Sequence, residues 1–499
     1  MDSFLVAIDN GSQSTKVLVV DQDGRVHASA RVGLRPYDTS PPGRAVHPGD
    51  DVWESIAAAS RAALGRFTGD RSRIVGVGLC TIRFCRAYLR EDGSLAEPLL
   101  SWMDERVGQP FEPAPGVRWV TSSSGYVSHR LTGERTDASA NLQGVWPIDQ
   151  RTWRWSDDPA AYERTGMPRE MLFALRDPGE RLGRVTAAAA AATGLPEGTP
   201  VFATANDKAV EALGAGVADP ETMLLSLGTY VAAMTIGRGA EHGTAYWSNF
   251  AARPGVHLAE SHGVRRGMWT VSWLRRLLQP DGAADGATDG TAGDAMYDLE
   301  RVLDAEAAQI PPGSDGIAAV LDWLAPTDEP WRRGAFLGFS GAQGRAHLYR
   351  AILEALALTM ADNVDAMTAE LGLRPRALVV TGGGAGSATM RQILADVFAL
   401  PVRRAELDDA AGLGAAVCAA VGAGVHPDWD SALSAMVRQT AATDPGEGVT
   451  AYRALRPWHR GIRSRVAELS QWSVAHGGAP EPAAEPHGIP RSQQERDGQ

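Results

Sequence analysis

Several features that would mark a secreted, metal-stapled or membrane protein are missing from this chain. Cysteines number three in 499 residues, Cys80, Cys85 and Cys418, an odd count without a CxxC spacing. Reduced thiols in a cytosolic protein are the expectation. Eleven histidines are scattered with no HExxH pattern and no Cys/His ladder, which argues against a structural zinc site. No stretch of ~18 apolar residues is present to span a bilayer. The apolar burst at residues 4–8 is too short for a secretory h-region. An excess of basic residues is missing too. Lys and Arg total 48 against 60 Asp and Glu, and the formal charge of −12 disfavours a general nucleic-acid or acidic-membrane partner. These absences lead to the expectation of a soluble, cytoplasmic protein.

What is present is an ordinary globular composition, 44% apolar and 22% charged, in a chain long enough for two or three domains. "FLVAIDNGSQSTKVLVVDQDG", from Phe4 to Gly24, reads as strand, polar turn and strand, with a third apolar stretch from Val26 to Val32. "DDVWESIAAASRAALGRF" has helical spacing and an acidic first turn that suits the helix dipole. "RIVGVGLC" is a buried strand. "AAAAAATGLPEGTPVFATANDKAVEALGAGV" reads as helix, loop, strand and a helix starting near Asp207. "ETMLLSLGTYVAAMTIG" then begins a second strand set around Gly228-Thr229, echoing the opening and hinting at two similar α/β halves. "RAHLYRAILEALALTMADNVDAM" is a long helix in which His347 has an expected packing role, and "ALVVTGGGAGSATMRQILADVF" is strand, glycine turn and helix. Residues 281–294 form a Gly/Ala/Asp low-complexity loop, expected to be exposed, and disorder is expected from Gly477 onward.

The polar turns carry the candidate chemistry. Small residues between strands let backbone N–H groups approach a phosphate. In the first turn Gly11 permits that approach, Ser12, Gln13 and Ser14 can donate to phosphate oxygens, Lys16 adds a charge, and Asp9 can hold a hydrated Mg²⁺. A plain β-turn is the alternative. Gly228-Thr229 alone is a common hairpin pair. "VVTGGGAGS" opens a helix after a buried strand, so amides near Gly383, Gly384 and Ser387 could meet a nucleotide, although neither a Walker nor a Rossmann spacing is present.

Taken together and in order, these segments resemble the FGGY carbohydrate kinases of the actin/hexokinase-like superfamily from about residue 4 to 475. "AIDNGSQSTK" resembles the first phosphate motif, "LSLGTY" the second, and "VVTGGGAGSATMRQILADVF" the adenosine motif. "PLLSWMDER" at 98–106, "RGAFLGFSGAQGRAHLYRAILEAL" and the Gly/Ala-rich "AELDDAAGLGAAVCAAVGAG" are similar to further family segments, the last to a helix that packs on its twin at the hinge. The resemblance implies two actin-like (ribonuclease H-like) α/β domains, each with a mixed five-stranded sheet, at residues 1–216 (sugar-binding) and 217–476 (nucleotide-binding). ATP and Mg²⁺ would meet a sugar or polyol in the cleft, and a homodimer is the candidate assembly. Members usually carry threonine where Ser12 stands.

The resemblance puts the general base at Asp207, for which helix N-capping is the plainer reading. Members usually have a glycine run before that aspartate. Ala203-Thr204-Ala205-Asn206 stands here and is expected to narrow the acceptor space. The segment after "GVGLC", where relatives hold the sugar, carries Arg83-Phe84, and Ala138 replaces a glycerol-kinase tyrosine, so neither a glycerol nor a xylulose pattern is matched. Lys208, Trp102, Asp104 and Arg106 are further cleft candidates, with Trp102 packing and an Asp104–Arg106 ion pair as the structural alternative. The expected substrate is a ketopentose such as xylulose or a related sugar or polyol. Arg83 and Lys208 motivate an aldonate alternative, glycerol-type and sensor readings being the other rivals. A nicotinamide enzyme is disfavoured.

Overall fold

A computed structural model of the chain describes residues 3–237, 239–278, 291–326 and 329–477. Two six-stranded sheets dominate it. The first contains β1 (Phe4–Asn10), β2 (Ser14–Asp21), β3 (Val26–Gly33), β4 (Ile74–Thr81), β5 (Arg181–Arg184) and β6 (Pro200–Asn206), ordered β5-β6-β4-β1-β2-β3. The second contains β7 (Thr222–Leu227), β8 (Val231–Ile236), β9 (Tyr246–Phe250), β10 (His257–Ser261), β11 (Ala377–Thr381) and β12 (Val402–Arg404), ordered β9-β10-β8-β7-β11-β12. Within each sheet five strands follow one plan. An antiparallel meander (β1-β2-β3 or β7-β8-β10) continues through parallel strands on the other side (β4-β6 or β11-β12). The expected five-stranded sheet is thus present twice, and each copy gains an antiparallel edge strand: β5 beside β6, and β9 beside β10.

Side-chain alternation explains the layers. β1 is central and all seven of its residues are buried, as a strand covered on both faces requires. Phe4, Val6 and Ile8 join an outer core with α1 (Asp51–Arg66), whereas Leu5 and Ala7 join an inner core. That inner core also holds Leu224, Met234 and Leu258 of the second sheet, so the two sheets share it. Between them cross α2 (Asp207–Gly214) and α5 (Ala410–Gly422), while α3 (Arg345–Leu371) and α4 (Ala388–Phe398) cover the second sheet's outer face.

The crossing depends on glycine. A Cβ at Gly214 would lie 1.9 Å from Ala410 O, and one at Gly414 would lie 2.1 Å from Val210 O. Backbone cannot move aside as a flexible side chain can, so these positions exclude any larger residue. A Cβ at Gly78 of β4 would meet Ala415 O at 2.1 Å, which puts α5 directly on the first sheet. The helix read as part of the 217–476 unit therefore covers the other unit's sheet. Strand content divides between β6 and β7, but helical packing interlocks across that division.

Of the Gly/Ala/Asp stretch, residues 281–290 lie outside the described residues, and 291–294 open the helix Thr291–Ala307 rather than a loop. The expected tail lies, beyond Gly477, outside the described residues. Cys80, Cys85 and Cys418 are buried free thiols. Among the described residues no helix is long and apolar enough to cross a membrane.

Candidate active site

The inner-face parity of β1 carries Asp9 to the strand end that faces α5. Its cross-strand partner Lys16 shares that face, with Nζ 3.6 Å from Asp9 Oδ2. The same ammonium lies 3.4 Å from Asp409 Oδ1. Asp409 caps α5, accepting from Gly412 N–H at 3.1 Å. Burial, reinforced by Asp409 and Asp207, lifts the Asp9 carboxyl to about 7 against the pull of Lys16. Asp9, Lys16, Asp409 and Asp207 therefore share one electrostatic neighbourhood. At the turn Gly11 N–H donates to Ser14 O, Gln13 is exposed and Ser12 half-buried, while Ser14 Oγ accepts from Arg31 Nε at 3.0 Å.

Asp207 owes its position to two local departures. Pairing of β6 with β4 shifts register between Ala203 and Asn206, so that Phe202 and Ala205 both face the inner core although three residues apart. A bulge of this kind re-aims the residues after it. The cap of α2 is Asn206, whose Oδ1 accepts from Ala209 N–H, and not Asp207. Asp207 is thereby released from the capping role, and its Oδ1 is buried with no hydrogen-bond partner among the described residues. The stretch expected to crowd the acceptor is absorbed elsewhere. Ala203 and Ala205 fill the two cores, Thr204 Oγ1 donates to Leu79 O, and Asn206 Nδ2 donates to Ala140 O and Asn249 Oδ1.

One turn beyond Asp207 sits Glu211, which sequence reasoning missed. Its carboxylate accepts from Lys208 Nζ, Ser226 Oγ and Thr381 Oγ1 at 2.8, 2.8 and 2.6 Å. Burial alone would raise this acid, but Lys208 and the hydroxyls hold it below its usual range. Lys208 also donates to Ser226. Burial disfavours its charge, yet Glu211 and Asp207 more than offset this and leave the ammonium above its ordinary value. Ser226 ends the inner face of β7 just before Gly228-Thr229, and Thr381 ends β11 just before the glycine turn. Gly382, at φ +80°, packs so closely that a Cβ would stand 2.7 Å from Leu227 O. The Gly228 turn and the Gly383-Gly384 turn therefore touch, and Glu211 anchors both to the helix of Asp207.

The segment after β4 crosses the cleft. Arg83 makes two parallel bonds to Glu260 of β10, at 2.9 and 3.1 Å, and stacks 4.5 Å over Trp247 of β9 and 5.5 Å over Phe84. Phe84 adopts φ +61°, a left-handed backbone that costs a bulky residue on the order of 1–3 kcal/mol. Glu260 and Trp247 are cross-strand partners on the added edge hairpin, 177 residues from Arg83 in the case of Glu260, and nothing local in the sequence marks them.

Other candidates are engaged elsewhere. All four lone-pair directions of Asp104 are taken, by Ala45 N–H and by Arg106 through its N–H, Nε and Nη2. The ion pair holds a loop and leaves no oxygen for a ligand. Ala138 is buried in the first outer core, away from the cleft face. Trp102 packs against both cores of the first half. Ser387 Oγ caps α4 through Met390 N–H and donates to Asp304. His347 caps rather than packs, since Gly344 N–H donates to its Nδ1.

Comparison with known proteins places this geometry. Residues 4–113 and 97–214 match the N-terminal domain, and residues 223–423 the C-terminal domain, of the FGGY family of carbohydrate kinases. An uncharacterised sugar kinase of Escherichia coli K12, YgcE, is 44% identical over 437 residues, 87% of this chain and 88% of that protein. The xylulose kinase of Rhodospirillum rubrum superposes with a TM-score of 0.77 at 24% identity, covering 94% of this chain and 100% of that one. The gluconate kinase of Lactobacillus acidophilus gives 0.75 at 19%, covering 94% and 99%. At such identities the two structures speak for the fold alone.

Proposed function

The chain belongs to the FGGY family of carbohydrate kinases and is a phosphotransferase, and from that premise we propose that it moves the γ-phosphoryl group of ATP to a hydroxyl of an uncharged sugar or polyol, a ketopentose such as xylulose being the preferred candidate. The observation that carries the mechanism is the unpartnered Oδ1 of Asp207 beside the Asp9–Lys16–Asp409 cluster. Phosphoryl transfer asks the protein for alignment, charge neutralisation and a proton acceptor. Asp207 is that acceptor: it takes the proton of the attacking hydroxyl as the O–P bond forms. Lys16 and the amides of Ser12 and Gln13, which the bare Gly11 lets a phosphate approach, receive phosphate oxygens from the first half, and Gly228, Thr229, Gly383 and Gly384 do so from the second. Ser387 closes the turn instead, its hydroxyl being engaged with Asp304 and Met390 N–H and its own N–H donating to Gly384 O.

Among the described residues no three metal-ligating side chains close into a cage. Two carboxylates, Asp9 and Asp409, share the one Lys16 ammonium, and Asp207 adds its field at Asp9, so an Asp9 relieved by a divalent cation would hold that cation through bound water. Mg²⁺ bound with the nucleotide would neutralise developing phosphate charge. The division at residues 216/217 is proposed as the line between sugar-binding and nucleotide-binding units, with closure excluding water as a rival acceptor.

A preference for uncharged substrates rests on pairing. Both cations that could greet a substrate carboxylate, Arg83 and Lys208, already hold an internal one. A coupled ADP-release panel of neutral ketoses, polyols, glycerol and aldonates tests the reading. Turnover on neutral sugars above aldonates and glycerol is expected; ligand binding without ADP release would favour the sensor, and absence of any response would refute the kinase.

A further inference from the structure

Phe84, beside Arg83, offers no polar atom to a substrate. The structure supplies a carboxylate at that place from the opposite half of the molecule. Glu260 reaches Arg83 across the cleft, its side chain 1% exposed and that of Arg83 13%. Trp247 and Phe84 flank the guanidinium. Arg83 also feels Asp207, and Lys208 feels Glu260, so the pair stands beside the acceptor.

We propose that Glu260 is a specificity-determining residue, contributed by the second half, which neutralises Arg83 and closes the sugar site to acidic substrates. The inference rests on the kinase reading above. Glu260 uses one N–H from each of Nη1 and Nη2, and a guanidinium has five, so donors remain for neutral hydroxyls. A carboxylate brought to the same fork would have to displace a buried acid or lie against it, and two like charges at that distance repel strongly. Selectivity here comes from a repulsive element as much as an attractive one. No local motif displays it, because its halves lie on different sheets.

Glu260→Gln keeps an acceptor for Arg83 and removes the charge. The readout is the ratio of kcat/KM for D-gluconate to that for D-xylulose or xylitol. A rise of at least ~10-fold in that ratio is expected, because a mere packing role would lower both values together. The exchange of both charges, Arg83→Glu with Glu260→Arg, is expected to return the ratio toward the wild-type value. An unchanged ratio in Glu260→Gln, or a wild-type enzyme that prefers gluconate, overturns the inference while leaving the kinase intact. Calorimetric titration with D-gluconate supplies a readout independent of turnover: binding tightens in Glu260→Gln, and equal affinity in both proteins refutes the proposal. Should Glu260→Gln fail to fold, the charge exchange decides by the same titration, since gluconate binding tighter than wild type by ~10-fold would then contradict a restored pair.

Discussion

The two hairpins, residues 4–21 and 222–236, share topology and place in their sheets, yet the inner face of one ends in an acid and that of the other in a hydroxyl. In the first, Asp9 sits with Lys16 and Asp409, raised by burial and by neighbouring acids. In the second, Ser226 donates to Glu211 and has no formal charge. One strand plan has thus been given two chemistries: the first half gathers charge around Asp9, Lys16 and Asp409, and the second carries an uncharged hydroxyl beside the touching turns at Gly228 and Gly382. Alternation fixes which positions face the cleft, and the residue type then decides what each half does there.

That contrast can be broken at its strongest point first. Asp9→Asn is expected to lower kcat/KM by roughly 10²–10³, whereas Ser226→Ala in the matching hairpin costs less than ~10-fold. Steady-state kinetics on both variants reads the difference. The close crossing of α2 and α5 provides a second contrast, in stability. Gly414→Val drives a side chain into Val210 O and is expected to cost ~3 kcal/mol or more, seen as loss of soluble protein or a large fall in Tm. Gly11→Ala meets its nearest atom, Ser14 O, only at 3.6 Å and is expected to leave Tm within a few degrees. Glu211→Gln touches the anchors of both second-half turns, so KM for ATP is expected to rise ~10-fold while KM for sugar moves less. Equal shifts in both would assign Glu211 to the sugar side instead.

The smallest effect concerns pH. Each half holds a buried neutral histidine, His47 in the first and His459 in the second, both lowered to about 4 chiefly by burial. At these two histidines the unfolded chain binds more protons than the folded one between pH 6.5 and 4. Asp9, lifted to about 7, acts in the opposite sense there, so the comparison with a variant lacking the histidines isolates their part. The stability they confer is complete above pH 6.5 and is lost as pH falls toward 4. Thermal melts across that window are expected to lose roughly 5 °C or more, with the loss reduced in a His47→Phe/His459→Phe double variant.

The sequence made the opening hairpin legible because its signal is local: two apolar bursts, a small-residue turn and an acid at the strand end. The Gly/Ala-rich helix α5, which crosses α2 at Gly214 and Gly414, was legible for the same reason. Asp207 was legible as a place but not as a state, since its free oxygen depends on a register shift against β4 and on Asn206 taking the cap. Asp104, Ala138 and Ser387 show the converse. Their residue types suit a site, and tertiary partners had already claimed or removed them. Glu211 and Glu260 were invisible because each is defined by partners from another sheet. The sixth strand of the second sheet, which presents Trp247 against Glu260, extends the expected plan and builds the wall that faces Arg83.

The most direct test of the central claim is nucleotide binding and single-turnover transfer measured side by side in Asp207→Asn. The account predicts an ATP affinity within about threefold of wild type, a fold of unchanged Tm, and a transfer rate lower by roughly 10³-fold or more. Transfer within tenfold of wild type would contradict it, for the hydroxyl proton would then have another acceptor and Asp207 no chemical part.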